Sequence, residues 1–172
     1  MRNLKSKEHL ALALAFSEMD SPVGQIKLVA HAHALVAVLW QNEKLNRVIL
    51  PDLVQDDSHP ILLMAKQQLN EYFKAQRKAF DVPLDAQGTL FQRQVWQALL
   101  TIPFGETRTY QDIAVQIGNP KAVRAVGAAN ARNPISIIAP CHRVIGSNGG
   151  LVGFAGGLEN KKILLNLESL KF

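Results

Sequence analysis

The apolar residues of this chain change period once, and that change limits the fold more than any other feature. From Gln25 to Ala30 apolar and polar side chains alternate, the period-two pattern of a half-buried strand. From residue 59 to 76 the period is helical instead: Ile61, Met64, Ala65, Leu69, Tyr72 and Phe73 share one face, and Pro60 suits the first turn. Residues 12–19 (LALAFSEM) and 34–40 (ALVAVLW) read as further short strands, with Asp20-Ser21-Pro22-Val23-Gly24 closing a tight turn between the first two. The expected first half is a small sheet followed by one amphipathic helix.

Residues 80–90, FDVPLDAQGTL, carry Pro83 and Gly88 among polar neighbours, and the charge balance shifts there too. Residues 1–85 hold ten Lys/Arg against ten Asp/Glu, and residues 86–172 hold nine against four. The net charge of +5 is therefore an excess of the second half, the sign that attracts polyanions. The predicted organisation is a sheet-plus-helix domain over 1–85 and a mainly helical domain over 86–172, an α/β chain of the α+β type. At 172 residues, 48% hydrophobic and 19% charged, it has the composition of a globular protein rather than a disordered one.

A single cysteine rules out an internal disulfide and suits a reducing compartment. Residues 10–16, LALALAF, follow Arg2, Lys5 and Lys7 in the manner of a secretory leader, but Glu8 breaks the basic stretch and Glu18-Met19-Asp20 makes a poor cleavage site. No apolar run approaches the roughly 20 residues that span a bilayer. The expectation is a cytoplasmic protein without a membrane partner.

Beyond the break, Phe91, Val95, Trp96 and Leu99 line one face of a helix that Pro103 and Gly105 end. Thr109 can cap a second helix, with Asp112 in the capping-box position and Gly118 able to end it in a left-handed turn. Asn119-Pro120 then opens a third, KAVRAVGAANAR, after a very short connection, giving a helix-turn-helix outline. A major-groove reader usually presents several long polar side chains. This helix presents Ala125, Gly127, Ala128, Ala129 and Ala131 with Arg124 as its main long side chain, a composition that fits close approach to a minor groove.

Residues 135–139, ISIIA, are apolar and β-prone, so Cys141 is expected just after a buried strand. His142 and Arg143 beside it can favour the thiolate that attacks carbon. The stretch from Ile145 to Gly157 is too rich in glycine for a regular element and can wrap a ligand closely. It lacks the phosphate-loop and dinucleotide fingerprints, so no nucleotide cofactor is expected. His31-Ala32-His33 would put two imidazoles on one strand face, but without further ligands at metal spacing the expected role is structural, and no metal site is assigned.

Pro140-Cys141-His142-Arg143-Val144, with Asn133-Pro134 upstream and Gly153-Phe154-Ala155-Gly156-Gly157 downstream, resembles the O6-alkylguanine-DNA alkyltransferase family. FQRQVWQAL, IPFGETRTY, AVRAVGAAN and KKILLNLE occur in the family's order, and SPVGQIKLV is similar to its N-terminal sheet. The resemblance implies repair of DNA by irreversible, single-turnover transfer of a methyl or other alkyl group from O6-alkylguanine, with O4-alkylthymine a further possible substrate, onto Cys141. It implies His142 as a base acting through water, Glu168 orienting that histidine, Asn133 ordering the guanine site and Tyr110 lending a proton to the departing base. It places Arg124, Ala125, Gly127, Ala128, Asn130 and Arg132 against the minor groove of double-stranded DNA, with the damaged nucleotide flipped out. It assigns Val152, Gly153, Phe154 and Ala155 to the substrate pocket, and implies a monomer needing no cofactor. Leu90 stands where the family often has proline, Phe154 where it has tyrosine, and Ser169 where it has glycine, the last expected to matter little. Three other functions compete: a protein that recognises alkylguanine without transfer, which would lack the cysteine; a methylation-sensing regulator, which would need more cysteines; and a general cysteine hydrolase.

Overall fold

The computed structural model describes residues 13–170 and 172. The leader-like basic positions Arg2, Lys5 and Lys7, the interrupting Glu8, and Leu12 at the start of the first expected strand lie outside them. The architecture is mixed α+β, as the periodicities imply. Strands β1 (Leu14–Met19), β2 (Ile26–Ala30), β3 (Leu35–Trp40) and β4 (Leu53–Gln55) form one sheet in the order β3-β2-β1-β4. The first three are antiparallel neighbours, and β4, which the sequence did not announce, joins β1 in parallel.

Helix α1 (Pro60–Phe73) begins where His59 accepts a hydrogen bond from the Ile61 amide, with proline in its first turn. It lays Ile61, Leu62, Ala65, Leu69 and Tyr72 on the sheet face formed by Ile26, Leu28, Leu35 and Val38. Burying one such leucine is worth about 1.5–3 kcal/mol. Ile135, Ile137, Ile138 and Leu164 from the second half complete the same core. Val38 bridges Ile135, and Leu35 bridges Leu84 in the Pro83 segment, so the sheet edge is tied to both. The opposite sheet face is less open than a half-buried strand implies, because Val29, Val36 and Ala37 are covered by Phe16, Val48, Leu50 and Leu53.

Helix α2 (Leu90–Leu100) starts with a capping box between Thr89 and Gln92, and buries Val95, Trp96, Ala98 and Leu99. Helix α3 (Tyr110–Gln116) starts with the expected box between Thr109 and Asp112, and Gly118 follows its end at φ +76°. Helix α4 (Val123–Ala131) starts later than Asn119-Pro120 suggests, since those residues form the turn itself and no side chain caps the helix. Trp96 Nε1 donates to Ala129 O at 2.8 Å and pins α4 against α2. A second core of Val95, Leu99, Ile113, Val126 and Val144 encloses Cys141.

Helix α5 (Leu158–Leu167) ends with Glu168 at its C-cap. Ser169 N–H donates to Asn166 O and Leu170 N–H to Leu165 O, both at 3.0 Å, the paired bonds of a Schellman motif. Its left-handed position is held by Ser169 at φ +67°, so the serine matters more than its sequence context suggests. Ser169→Gly is expected to raise stability by about 1 kcal/mol in chemical denaturation. A variant less stable than the parent would mean that the serine side chain, not backbone strain, decides this cap. Among the described residues no helix is long and apolar enough to cross a membrane.

Candidate active site

The two residues before α3 and the two after Cys141-His142-Arg143 set the site. Strand β5 (Arg108–Thr109) pairs in parallel with β6 (Val144–Ile145), Arg108 opposite Val144 and Thr109 opposite Ile145. Tyr110, the first residue after β5, is thereby brought alongside the tight 3-10 turn Cys141–Arg143 that runs into β6. Tyr110 and Phe154 both pack on the core that contains Cys141.

The segment before Cys141 is buried but is not a strand: only Ile135 makes a β-bridge, and Ser136–Ile138 form a turn. Its organiser is Asn133, fully buried, whose Nδ2 donates to Ala139 O at 2.8 Å and whose Oδ1 accepts from Ile135 N at 3.1 Å. With its two ends clasped by one side chain the chain curls, and Ile137 is forced to φ +74°, a conformation costly for a β-branched residue. The curl presents Cys141 inward at 2% exposure.

Burial pushes the Cys141 thiol above its ordinary value, against the pull of Asn133, Arg47, Lys161 and Ser136. At neutral pH it is therefore a thiol awaiting a base. The expected help from Arg143 does not arise, because its guanidinium turns away to Glu168 and to Ile102 O at 2.6 Å. His142 is fully buried, and its Nε2 lies 2.8 Å from Glu168 Oε1. With a carboxylate there, Nε2 carries the proton and Nδ1 offers its lone pair. That Nδ1 is buried with no hydrogen-bond partner among the described residues. Burial also holds the imidazole below its ordinary pKa despite the carboxylate, keeping it neutral and basic at Nδ1.

Glu168, 2% exposed, is the hub. Its Oε1 accepts from Tyr72 Oη (2.7 Å), His142 Nε2 (2.8 Å) and Arg143 (2.8 and 3.2 Å), and its Oε2 from Arg143 Nε (2.9 Å) and Gly105 N (3.3 Å). Burial would raise its pKa, but the bonds from His142 and Arg143 prevail and hold it down at about 2.

A cleft of about 520 Å³ opens over this region, lined by Tyr110, by Gly127, Ala128, Asn130 and Ala131 of α4 with Arg132 at its C-cap, and by Gly153, Phe154 and Ala155 of the glycine-rich loop. Val152 does not line it; it is 43% exposed, and its carbonyl receives the Lys161 ammonium at 3.1 Å. Phe154 stacks edge-on against Trp40 of β3 at 5.3 Å, fixing one wall to the sheet. On α4, Arg124, Ala125 and Ala128 are exposed, as is Arg132 at its C-cap, while Asn130 is 4% exposed and belongs to the cleft rather than the open face. Burial raises the Tyr110 phenol, more so because Cys141 is near, while the Asn130 side chain opposes the shift. A larger open groove of about 730 Å³, between α2 and the end of α3, contains none of these residues.

Two contributors escaped the sequence reading. The loop Lys44–Arg47 forms the far rim of the cleft, and Arg47, paired with Glu43, donates from Nη1 to Asn133 O at 2.7 Å. Lys161 is fully buried, its ammonium bonded to Val144 O at 2.6 Å and Val152 O, and burial draws its pKa down to about 8. A polar loop and a lysine on a helix give no local signal of such placement. His31 and His33 occupy a turn rather than a strand face: His31 Nε2 pairs with Asp85 at 2.9 Å and its Nδ1 accepts from His33 N. No cluster of three potential metal ligands occurs among the described residues.

A helix-turn-helix whose exposed face is small and basic stands beside a buried Cys-His-Glu constellation, the arrangement of a protein that acts on DNA. Residues 90–170 match the DNA-binding domain of the 6-O-methylguanine DNA methyltransferases, and residues 14–86 match their ribonuclease-like domain. Similar chains include the methylated-DNA--protein-cysteine methyltransferase of Methanosarcina acetivorans, 49% identical over 89% of this chain and 97% of that one. The constitutive enzyme of Bacillus subtilis is 45% identical over 91% and 96%. Among solved structures, the Mycobacterium tuberculosis protein OGT in complex with DNA superposes with a TM-score of 0.83 at 47% identity, covering 90% of this chain and 92% of that one. The chain belongs to the 6-O-methylguanine DNA methyltransferase family.

Proposed function

We propose that this protein repairs alkylated DNA by moving the alkyl group of O6-alkylguanine onto Cys141 Sγ, irreversibly and once per molecule. The observation that carries the proposal is His142: neutral, oriented by Glu168 through Nε2, with a buried Nδ1 that has no partner among the described residues, one residue from the only cysteine. A water held at Nδ1 passes the thiol proton to the imidazole, and the sulfur displaces O6 at the alkyl carbon. The S–C bond forms as the C–O bond breaks, its electron pair passes to the guanine, and Tyr110 lends the base a proton so that it leaves neutral.

Asn133 holds the guanine-facing backbone in its curl. Asn130, Gly153, Phe154 and Ala155 enclose the base, and Val152, whose carbonyl holds the Lys161 ammonium, anchors the loop beside them. Arg124, Ala125, Gly127, Ala128 and Arg132 approach the minor groove of double-stranded DNA, where small side chains allow close contact and Arg124 enters the space left by the flipped nucleotide. Residues 86–172 act on the DNA, residues 1–85 support them, and the protein works as a cytoplasmic monomer. Methyl is the expected adduct, with longer groups and alkylthymine as possible further substrates.

The test is intact-protein mass after mixing with duplex DNA carrying one O6-methylguanine. The wild type is expected to gain one methylene unit and no more, and Cys141→Ser none. Tight binding without a mass gain would make the chain a damage-recognition protein instead.

A further inference from the structure

The relay described above runs within the second half of the chain, yet its carboxylate is also bonded by a residue of α1. Tyr72 is fully buried, and its hydroxyl lies 2.7 Å from Glu168 Oε1, the oxygen that also faces His142 Nε2. The ring is fixed by Phe73, Phe80 and Phe104 at 5.4, 5.5 and 6.1 Å, so the hydroxyl has little freedom to turn elsewhere. Building on the alkyl-transfer reading, we infer that Tyr72 is a positioning residue of the reaction: by donating to Glu168 Oε1 it sets how strongly that oxygen holds the His142 proton.

The direction of the bond is settled by charge. Burial and the Glu168 carboxylate push the Tyr72 phenol far above its ordinary value, so it stays a donor throughout the working range. Tyr72, His142 and Arg143 all draw on the electron density of Oε1. Every donor added weakens Oε1 as a partner for His142, and every donor removed strengthens it. The other groups facing the pair are Gly105 N–H on Oε2 from the loop after α2, and the charges of Arg143 and Lys161, both of which disfavour the imidazolium. The Lys78 ammonium lies 5.7 Å from the centroid of the Phe104 ring, over which the Arg143 guanidinium also lies at 5.9 Å. Tyr72 thus works with Arg143 and burial to keep His142 neutral, the state in which Nδ1 can accept the thiol proton.

Tyr72→Phe keeps the ring and removes the donor. Oε1 then holds the imidazolium more tightly, the His142 pKa rises, and base catalysis fails at a higher pH. Single-turnover methyl transfer from saturating O6-methylguanine duplex, followed by protein mass from about pH 5 to about pH 9, is expected to show the acid limb moved upward by roughly half a unit or more. Near the foot of that limb the variant should be slower than wild type by roughly threefold to tenfold, beyond any factor it loses at high pH. Site-specific 3,5-difluorotyrosine at position 72, a stronger donor that preserves the packing, should move the limb the other way. It also keeps the inference testable if the phenylalanine variant folds poorly. A purely structural role lowers the rate by one factor at every pH, so limbs that coincide with wild type in both variants overturn the assignment while leaving alkyl transfer intact. A wild type that gains no methyl group overturns the alkyl-transfer reading itself, and the inference with it.

Discussion

Glu168→Ala is expected to remove about 3–5 kcal/mol of stability and to slow methyl transfer by at least roughly a hundredfold. The stability loss follows from what the carboxylate leaves behind. Arg143 is 5% exposed, and its one further acceptor among the described residues is Ile102 O, so its guanidinium becomes an uncompensated buried charge. His142 and Tyr72 lose their partners in the same step. The rate loss follows from the tautomer: without an acceptor at Nε2, nothing holds the proton there and the lone pair on Nδ1.

The wild type should show the same dependence as pH falls. Glu168 has a folded pKa of about 2 against an ordinary 4.5, so its contribution is complete above 4.5 and is lost as pH falls toward 2. The difference amounts to roughly 3 kcal/mol. Denaturant midpoints across that window should fall steeply for wild type and little for the variant. Equal slopes would show that other carboxylates govern acid sensitivity.

Asn133→Ala is the second large effect, expected at about 2–4 kcal/mol. The mutation leaves the buried amide of Ile135 without its partner, at about 1–3 kcal/mol, and removes one of two donors from the buried carbonyl of Ala139, which keeps the Cys141 N–H at 2.8 Å, for about 0.5–1.5 kcal/mol more. The consequence reaches the chemistry because those two bonds force Ile137 to φ +74°. Released from the clasp, the segment can relax toward extended backbone and carry Cys141 out of register with His142. Methyl transfer should fall further than the fraction unfolded can explain, measured under conditions where both proteins are folded. A variant as active as wild type would show that the curl holds itself.

Local physics made part of this molecule readable and tertiary physics hid the rest. The Thr109–Asp112 capping box and the left-handed Gly118 each depend on residues a few positions apart, so they could be found from sequence alone. The sheet and α1 followed from period for the same reason. The ISIIA segment misled because its composition favours a strand, whereas its conformation is imposed by Asn133, and the Asn-Pro pair upstream was its turn signal. Arg143 misled in another way: next to Cys141 in sequence, it leaves the turn in a different direction and serves Glu168. Tyr72 and Arg47 act across 96 and 86 residues and Lys161 across 17, and no spacing rule reaches that far. Cys141, His142 and Glu168 follow from the motif resemblance, not from periodicity or charge.

A protein that acts once must keep its reagent intact between synthesis and use. Cys141 is 2% exposed, and burial holds its sulfur protonated, so stray oxidants and electrophiles in solution meet neither an accessible atom nor the reactive anion. The enclosure that makes attack depend on a neighbouring base thereby also gives the molecule a shelf life.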